Sequence, residues 1–146
     1  MIRKFEEKDR QIYVEMAREF YHSDAVLHPV PDEHFETTAS EALKDDGYAR
    51  IFMLEHEGVP AGYGLTAKGY SQEAGGLLMW IEEIYIRKAF RSIGLGKEFF
   101  EYIEKNMGED IIRLRLEVEE DNTRAMSFYK KIGYKKLNYV QMVKDF

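Results

Sequence analysis

Two short stretches of this 146-residue chain combine residue types and spacings that suit chemistry. In the first, Trp80-Ile-Glu82-Glu83-Ile84-Tyr85-Ile86-Arg87 reads as the end of a strand, a short basic loop follows, and Gly94 and Gly96 open a helix. The N–H groups of a helix's first turn have no acceptor within the helix, and the helix dipole adds positive charge behind them, so such a turn attracts anions. Glycines at that point let a phosphate approach the backbone, and Arg87, Lys88, Arg91 and Lys97 add positive charge around it. The same glycines would equally serve tight packing at a helix start. The chain lacks the Gly-Lys-Ser/Thr of a P-loop, and it lacks the third glycine and downstream acid of a dinucleotide-binding turn.

The strand that feeds the loop carries two carboxylates. With a period of two, Leu78, Trp80, Glu82, Ile84 and Ile86 share one face, and Leu77, Met79, Ile81, Glu83 and Tyr85 share the other. Each glutamate thus interrupts an apolar row, where desolvation raises a carboxyl pKa towards the range of a general base. An ion pair with Arg113 or Arg115 is the competing explanation. In the second stretch, Asn122 suits a helix N-cap, Ala125, Phe128 and Ile132 share a face, and Tyr129 follows Asn122 by about two turns on nearly the same side. Taken singly, these are a capping asparagine and a core tyrosine.

Taken together, the two stretches resemble the GCN5-related N-acetyltransferase (GNAT) family. Arg91-Ser92-Ile93-Gly94-Leu95-Gly96 is similar to its Arg/Gln-x-x-Gly-x-Gly/Ala motif, and Asn122-x-x-Ala125-x-x-Phe128-Tyr129-x-x-x-Gly133-Tyr134 is similar to its second motif. The resemblance implies acetyl-CoA as co-substrate and no metal. It implies that backbone groups of Arg91, Ser92, Ile93, Gly94, Leu95, Gly96 and Lys97 wrap the CoA pyrophosphate. It further implies that Ile84, Tyr85 and Ile86 pair with the pantetheine arm like an added strand, that Asn122 lies near that arm, and that Tyr129 sits beside the CoA sulfur. Ser92 stands where many members have glycine, which narrows the loop. The strand at Glu82 and Glu83 also resembles that of diamine (spermidine/spermine) N-acetyltransferases, which implies Glu82 as base or amine anchor and Glu83 second.

The chain has no cysteine, so a covalent cysteine intermediate is excluded and direct attack of an amine on the thioester in a ternary complex is the simpler route. An amine with a pKa of about 10.4 is mostly protonated at neutral pH, so Glu82, Glu83 or a water relay must take its proton. Tyr129 is the candidate donor to the departing thiolate, and a backbone N–H of the long strand would stabilise the oxyanion. The expectation is an acetyl-CoA-dependent N-acetyltransferase acting on a primary amine, a polyamine or another small cationic amine among them. Acetylation of a protein N-terminus or lysine stays open, as does a module that binds acyl-CoA without catalysis.

These side chains need a frame. Ile2–Phe5 reads as a short strand, and Ile12, Met16 and Phe20 mark the face of a helix that begins at Asp9. A loop with two prolines and two histidines spans His22–Pro31, after which Asp32 suits the N-cap of a helix running to about Lys44. Strands follow over Tyr48–His56 and Val59–Thr66, with Glu57-Gly58 as the turn; Gly62 and Gly64 leave room for something to approach the second backbone. Leu77–Arg87 is a long strand, Gly94–Met107 an amphipathic helix, Ile111–Val118 a strand, Asn122–Ile132 a helix, and Tyr139–Val143 a last strand. The order β-α-α-β-β-β-α-β-α-β gives an α/β fold: a GNAT-like, mixed, mostly antiparallel twisted sheet with helices on both faces. One domain over 1–146 is expected, with acceptor-side helices in 1–46 and the acetyl-CoA core in 77–134.

With 45% hydrophobic and 14% aromatic residues the chain can build one core. The 27 acidic residues outnumber the 21 basic ones, which argues against nucleic acid as a partner. No apolar run reaches the ~18 residues of a membrane span and no signal peptide is visible at the start, so a cytoplasmic protein with a small-molecule partner is expected. His22, His28 and His34 fit no metal-ligand spacing, though one of them could line the acceptor pocket. Residues 1–46 hold 12 acidic and 6 basic side chains, whereas the rest balance, which leans towards a cationic acceptor. The few residues after Gly133 leave a sheet edge that a partner subunit could cover, which is compatible with a homodimer.

Overall fold

The computed structural model describes residues 1–23 and 28–146, so residues 24–27 of the expected His22–Pro31 loop lie outside the described residues. Two compact units form, Met1–Leu116 and Glu117–Phe146.

In the first unit the strands β1 (Ile2–Lys4), β2 (Ala49–His56), β3 (Val59–Ser71), β4 (Gly76–Ile86) and β5 (Ile111–Leu116) make one sheet in that order. The first four pair antiparallel and β5 runs parallel to β4. A parallel neighbour needs a crossover, which α3 (Leu95–Asn106) supplies. The β2–β3 turn is tight because Glu57 and Gly58 both take positive φ (51° and 78°), the geometry that matches the twist of a hairpin.

Alternation along β2 splits the core into two layers. Ile51 and Met53 join a cluster with Phe5, Tyr13, Met16, Ala17, Phe35, Ala39, Tyr63 and Tyr85, beneath α1 (Arg10–Tyr21) and α2 (Asp32–Ala42). Phe52 faces the other way, its ring 6.1 Å from that of Phe99 on α3. The stripe expected on α3 is largely the buried one, with Leu95, Phe99 and Ile103 inside and Phe100 added. The α/β class, the mixed sheet and helices on both of its faces are therefore as the sequence implied.

A charged knot closes the β1–α1 junction. The Arg3 guanidinium donates to both oxygens of Asp9 (2.6 and 2.8 Å) and to Glu55 Oε1 (2.7 Å), while the Glu6 N–H donates to Asp9 Oδ2. Asp9 is buried, and the Arg3 bonds hold its carboxyl below the usual range. It therefore stabilises the fold above that range, and the stabilisation is lost as pH falls through the lowered value.

Three expectations change. Asp32 is the first helical residue and not the cap: Pro31, which is extended (φ −61°, ψ 142°), holds the cap position, and Asp32 pairs with Arg18 at 2.7 Å. Gly62 and Gly64 accommodate the protein itself. A Cβ on Gly62 would lie 2.1 Å from Tyr85 O, and one on Gly64 would lie 2.3 Å from the Phe99 ring. The strand expected over Tyr139–Val143 is absent, and Tyr139, Val140, Met142 and Val143 are exposed. Its own unit offers no second strand among the described residues, so no backbone ladder is there to receive it.

The second unit is organised by α4 (Thr123–Lys131) and its caps. Asn122 Oδ1 accepts from the Ala125 N–H at 3.2 Å. At the other end Gly133 takes φ +98°, its N–H donating to Lys130 O while the Tyr134 N–H donates to Tyr129 O. This paired closure requires a left-handed residue after the helix. Asn122 and Gly133 of the second motif thus begin and end the helix that carries Tyr129.

Replacing the Gly64 hydrogen with a methyl forces the Phe99 ring to move. Gly64→Ala should lower the unfolding free energy by about 1–3 kcal/mol in a urea titration; an unchanged midpoint would mean that the ring yields without cost.

Candidate functional site

The register of β3 against β4 slips by one residue in the middle of the sheet. Leu65 pairs with Glu83 and Thr66 pairs with Ile81, so the register steps over Glu82, where β4 bulges. Strict alternation therefore stops at Ile81. Leu78 and Trp80 lie on the same face as Glu83 and Tyr85, and Met79 and Ile81 lie with Ile84 and Ile86. This corrects the two-face reading of β4: only Glu83 interrupts a side-chain row, and Glu82 is an exposed residue at the bulge.

Glu83 is half-buried under the α1–α2 layer and is held by two phenols. The Tyr21 hydroxyl donates to Oε1, and the Tyr63 hydroxyl donates to Oε2 at 2.6 Å. Around them, Tyr13 meets Tyr63 edge-on with centroids 5.0 Å apart, and Tyr21 leans on Phe35 at 5.3 Å. Burial pushes the Glu83 carboxyl above its usual range, and the two hydroxyls, which favour the charged form, offset part of that rise. Burial and the nearby carboxylate raise both tyrosines, so they remain protonated donors. Neither arginine proposed as an ion-pair partner takes that role. Arg113 pairs with Glu73 at 3.3 Å, and the Arg115 guanidinium lies 4.5 Å above the Trp80 ring.

Beyond Glu83 the strand continues through Ile84, Tyr85 and Ile86 into the basic loop. Tyr85 donates to Glu19 Oε2 at 2.9 Å, and Arg87 pairs with Glu19 at 2.7 Å, which holds that carboxyl low. Arg87 thus braces α1 against the end of β4, and its charge is engaged by Glu19 rather than free for the loop. The Arg91 side chain donates to Ile86 O at 2.8 Å and folds the loop back on the strand. Ser92 adopts φ +67° and Gly94 φ +98°. The left-handed region strains a serine by about 1 kcal/mol or more and costs glycine little. The first helical bond of α3 runs from the Glu98 N–H to Gly94 O, so the N–H groups of Leu95, Gly96 and Lys97 have no acceptor within the helix. At Gly96 a Cβ would approach only Ile86 and Ile84, at 3.8 and 4.0 Å.

Tyr129 lies in the second unit, half-buried, with Phe128 and Tyr134 rings at 5.6 and 6.0 Å. Burial raises its pKa, so the phenol keeps its proton at neutral pH. Of the histidines, His22 Nδ1 stands 2.7 Å from Arg18 O and His34 is exposed on α2. Among the described residues no group of three or more His, Asp or Glu is placed to hold a metal ion.

The residues that sequence reasoning missed are Tyr21 and Tyr63. Each reaches Glu83 across a long stretch of chain, 62 and 20 residues respectively. The local trace was slight: Tyr63 is the one bulky residue between Gly62 and Gly64, and Tyr21 ends a helix in an aromatic pair.

Comparison with known proteins follows the same stretches. The sequence profile of the acetyltransferase (GNAT) family matches residues 10–134. Thialysine N-epsilon-acetyltransferase of Bos taurus is 30% identical over 109 residues, which cover 65% of this chain and 64% of that protein. The chain therefore spans a little under two thirds of the relative's length. A possible acetyltransferase from Clostridium difficile 630 superposes with a TM-score of 0.83 at 17% identity, over 100% of this chain and 97% of that one. An aminoglycoside N-acetyltransferase in complex with CoA superposes with a TM-score of 0.81 at 15% identity, over 99% and 93%. At these identities the two structures speak for the fold.

Because ionising Glu83 in its buried setting is unfavourable, its contribution to stability is present below the usual carboxyl range and declines as pH rises through the raised value. Wild type should therefore lose stability relative to Glu83→Gln over that interval in thermal unfolding at a series of pH values. A constant difference between the two proteins would mean that Glu83 titrates as a solvated acid.

Proposed function

The chain belongs to the acetyltransferase (GNAT) family, and from that membership we propose that it is an acetyl-CoA-dependent N-acetyltransferase whose acceptor is the primary amine of a small cationic molecule. The observation that carries the reading is the composition of β4 and its continuation. One uninterrupted segment brings a desolvated, tyrosine-held carboxylate at Glu83, a strand end at Ile84–Ile86, and a loop with three unused N–H groups at the start of α3.

The chain's residues fit the co-substrate by their donor chemistry. The N–H groups of Leu95, Gly96 and Lys97 suit pyrophosphate oxygens, Gly96 leaves them accessible, and Arg91, Ser92, Ile93 and Gly94 shape the approach. The backbone of Ile84, Tyr85 and Ile86 would pair with the pantetheine arm, and Asn122, its Oδ1 committed to capping α4, keeps its amide N–H for a neighbour. Bound acetyl-CoA supplies the thioester. Glu83 accepts the proton that the ammonium must lose before attack, for which a raised carboxyl pKa is the useful direction. Exposed at the bulge, Glu82 is placed to anchor a cationic acceptor or to order a relay water. Tyr129, still protonated, gives its proton to the departing thiolate.

The acceptor class rests on two supports. The bovine relative is named for a small amine, thialysine. The side of the sheet that holds Glu83 is also framed by α1 and α2, which come from the acidic first third of the chain.

Calorimetry with acetyl-CoA and thiol release over a panel of amines test the reading directly. Gly96→Glu should weaken acetyl-CoA binding by about tenfold or more, because a carboxylate would occupy the place of the phosphates; intact affinity would remove the loop from the cofactor site. For Tyr129→Phe, kcat should fall with little change in acetyl-CoA affinity. Wild-type turnover in that variant would take Tyr129 out of the chemistry.

A further inference from the structure

Two hydroxyls meet the two oxygens of one carboxylate at Glu83, but they do so from different ground. Tyr63 is fully buried, locked edge-on against Tyr13 and flanked by the glycines that let β4 and Phe99 close on its strand. It cannot leave without unpacking the core. Tyr21 is the last residue of α1, half-buried, with Phe20 and Phe35 beside its ring. We propose that Tyr21 is a positioning residue for acetyl transfer: its hydroxyl holds the Glu83 carboxylate in the plane in which a remaining lone pair receives the acceptor's proton. This rests on the N-acetyltransferase reading above.

A carboxylate has about four lone-pair positions, and two phenols occupy two of them. Two neutral donors orient the group without cancelling its charge, whereas an arginine or lysine would pair it off and weaken it as a base. The surroundings keep cations away from Glu83. Arg87 is engaged by Glu19, Arg113 by Glu73, and Arg115 by the Trp80 ring. Among the described residues, the titratable groups around it are Tyr13 and Tyr21 from α1, Tyr63 from β3 and Tyr85 on the same face of β4, with Glu82 acting on Tyr21, while α2 brings the apolar Phe35. None of these carries positive charge, so among the described residues Tyr21 is the donor at the rim whose loss changes the carboxylate without opening the core.

The test is acetyl transfer by wild type, Tyr21→Phe, Tyr63→Phe and Glu83→Gln, followed by thiol release from about pH 5 to about pH 9. Removing a hydrogen bond to the charged form raises the carboxyl pKa, so the acidic limb of kcat/KM for the acceptor should move to higher pH in Tyr21→Phe. Activity should fall about tenfold at the acidic end and recover at the alkaline end. The KM for acetyl-CoA should stay within about twofold, and thermal unfolding should be close to wild type. Tyr63→Phe should move the limb the same way, and Glu83→Gln should lack it. A limb that does not move in Tyr21→Phe, or a loss equal at every pH, overturns the assignment of Tyr21 while leaving the enzyme reading in place. A wild type that transfers acetyl to no amine of the panel removes the enzyme reading, and this inference with it.

Discussion

The extra residue that β4 carries at Glu82 shifts the remainder of the strand by one position relative to β3. If Glu82 were instead paired in regular alternation, Glu83 would lie on the α3 face with Met79 and Ile81, away from Tyr63. With the bulge, Glu83 and Tyr85 turn towards α1 and α2, and Ile84 and Ile86 turn towards α3. The hydrogen bonds from Tyr21 and Tyr63, the Tyr85–Glu19–Arg87 contact and the docking of α1's last turn all follow from that one displacement. A bulge interrupts the ladder and costs pairing, and such devices recur where a strand must aim a side chain.

The two ends of β4's functional stretch are built on opposite electrostatic principles. At Glu83 a carboxyl group is desolvated and steadied by neutral donors, which leave its charge uncancelled. At the loop, backbone N–H groups and the dipole of α3 add to the charge of Arg91, whose hydrogen bond to the neutral Ile86 O leaves that charge in place, while Arg87 is paired with Glu19. The acidic surplus of the first third is likewise partly consumed locally. Asp9 pairs with Arg3, Glu7 and Glu36 with Arg10, Asp32 with Arg18, and Glu41 with Lys44. Any attraction for a cationic acceptor therefore comes from a few placed carboxylates and less from the bulk count.

The elements were legible where periodicity and punctuation are local. The α3 stripe, the Glu57-Gly58 turn, and the Asn122 cap with Gly133 after its helix could be read from residues within a few positions of one another. The last strand was not, because alternation states that a segment could be β but not that a neighbouring strand exists; among the described residues of its unit no strand forms. Asp32 was misplaced by one residue because aspartate is favoured both as a cap and in the first helical turn, and the Arg18 contact that holds it comes from another helix.

For the site the division is sharper. Residue type at short spacing singled out the loop with its glycines and the paired glutamates, and the resemblance of the second motif singled out Tyr129. Which glutamate enters the tyrosine cluster required the fold. A one-residue bulge leaves no mark in an alternating pattern, yet it reverses the facing of every residue after it. Tyr21 and Tyr63 became visible only once α1 was laid over β3 and β4, since a hydrogen bond between residues 62 positions apart has no local signature. Local backbone preferences and apolar periodicity act over a turn or a strand, whereas the protonation and orientation of a buried carboxylate depend on whatever the whole chain packs around it.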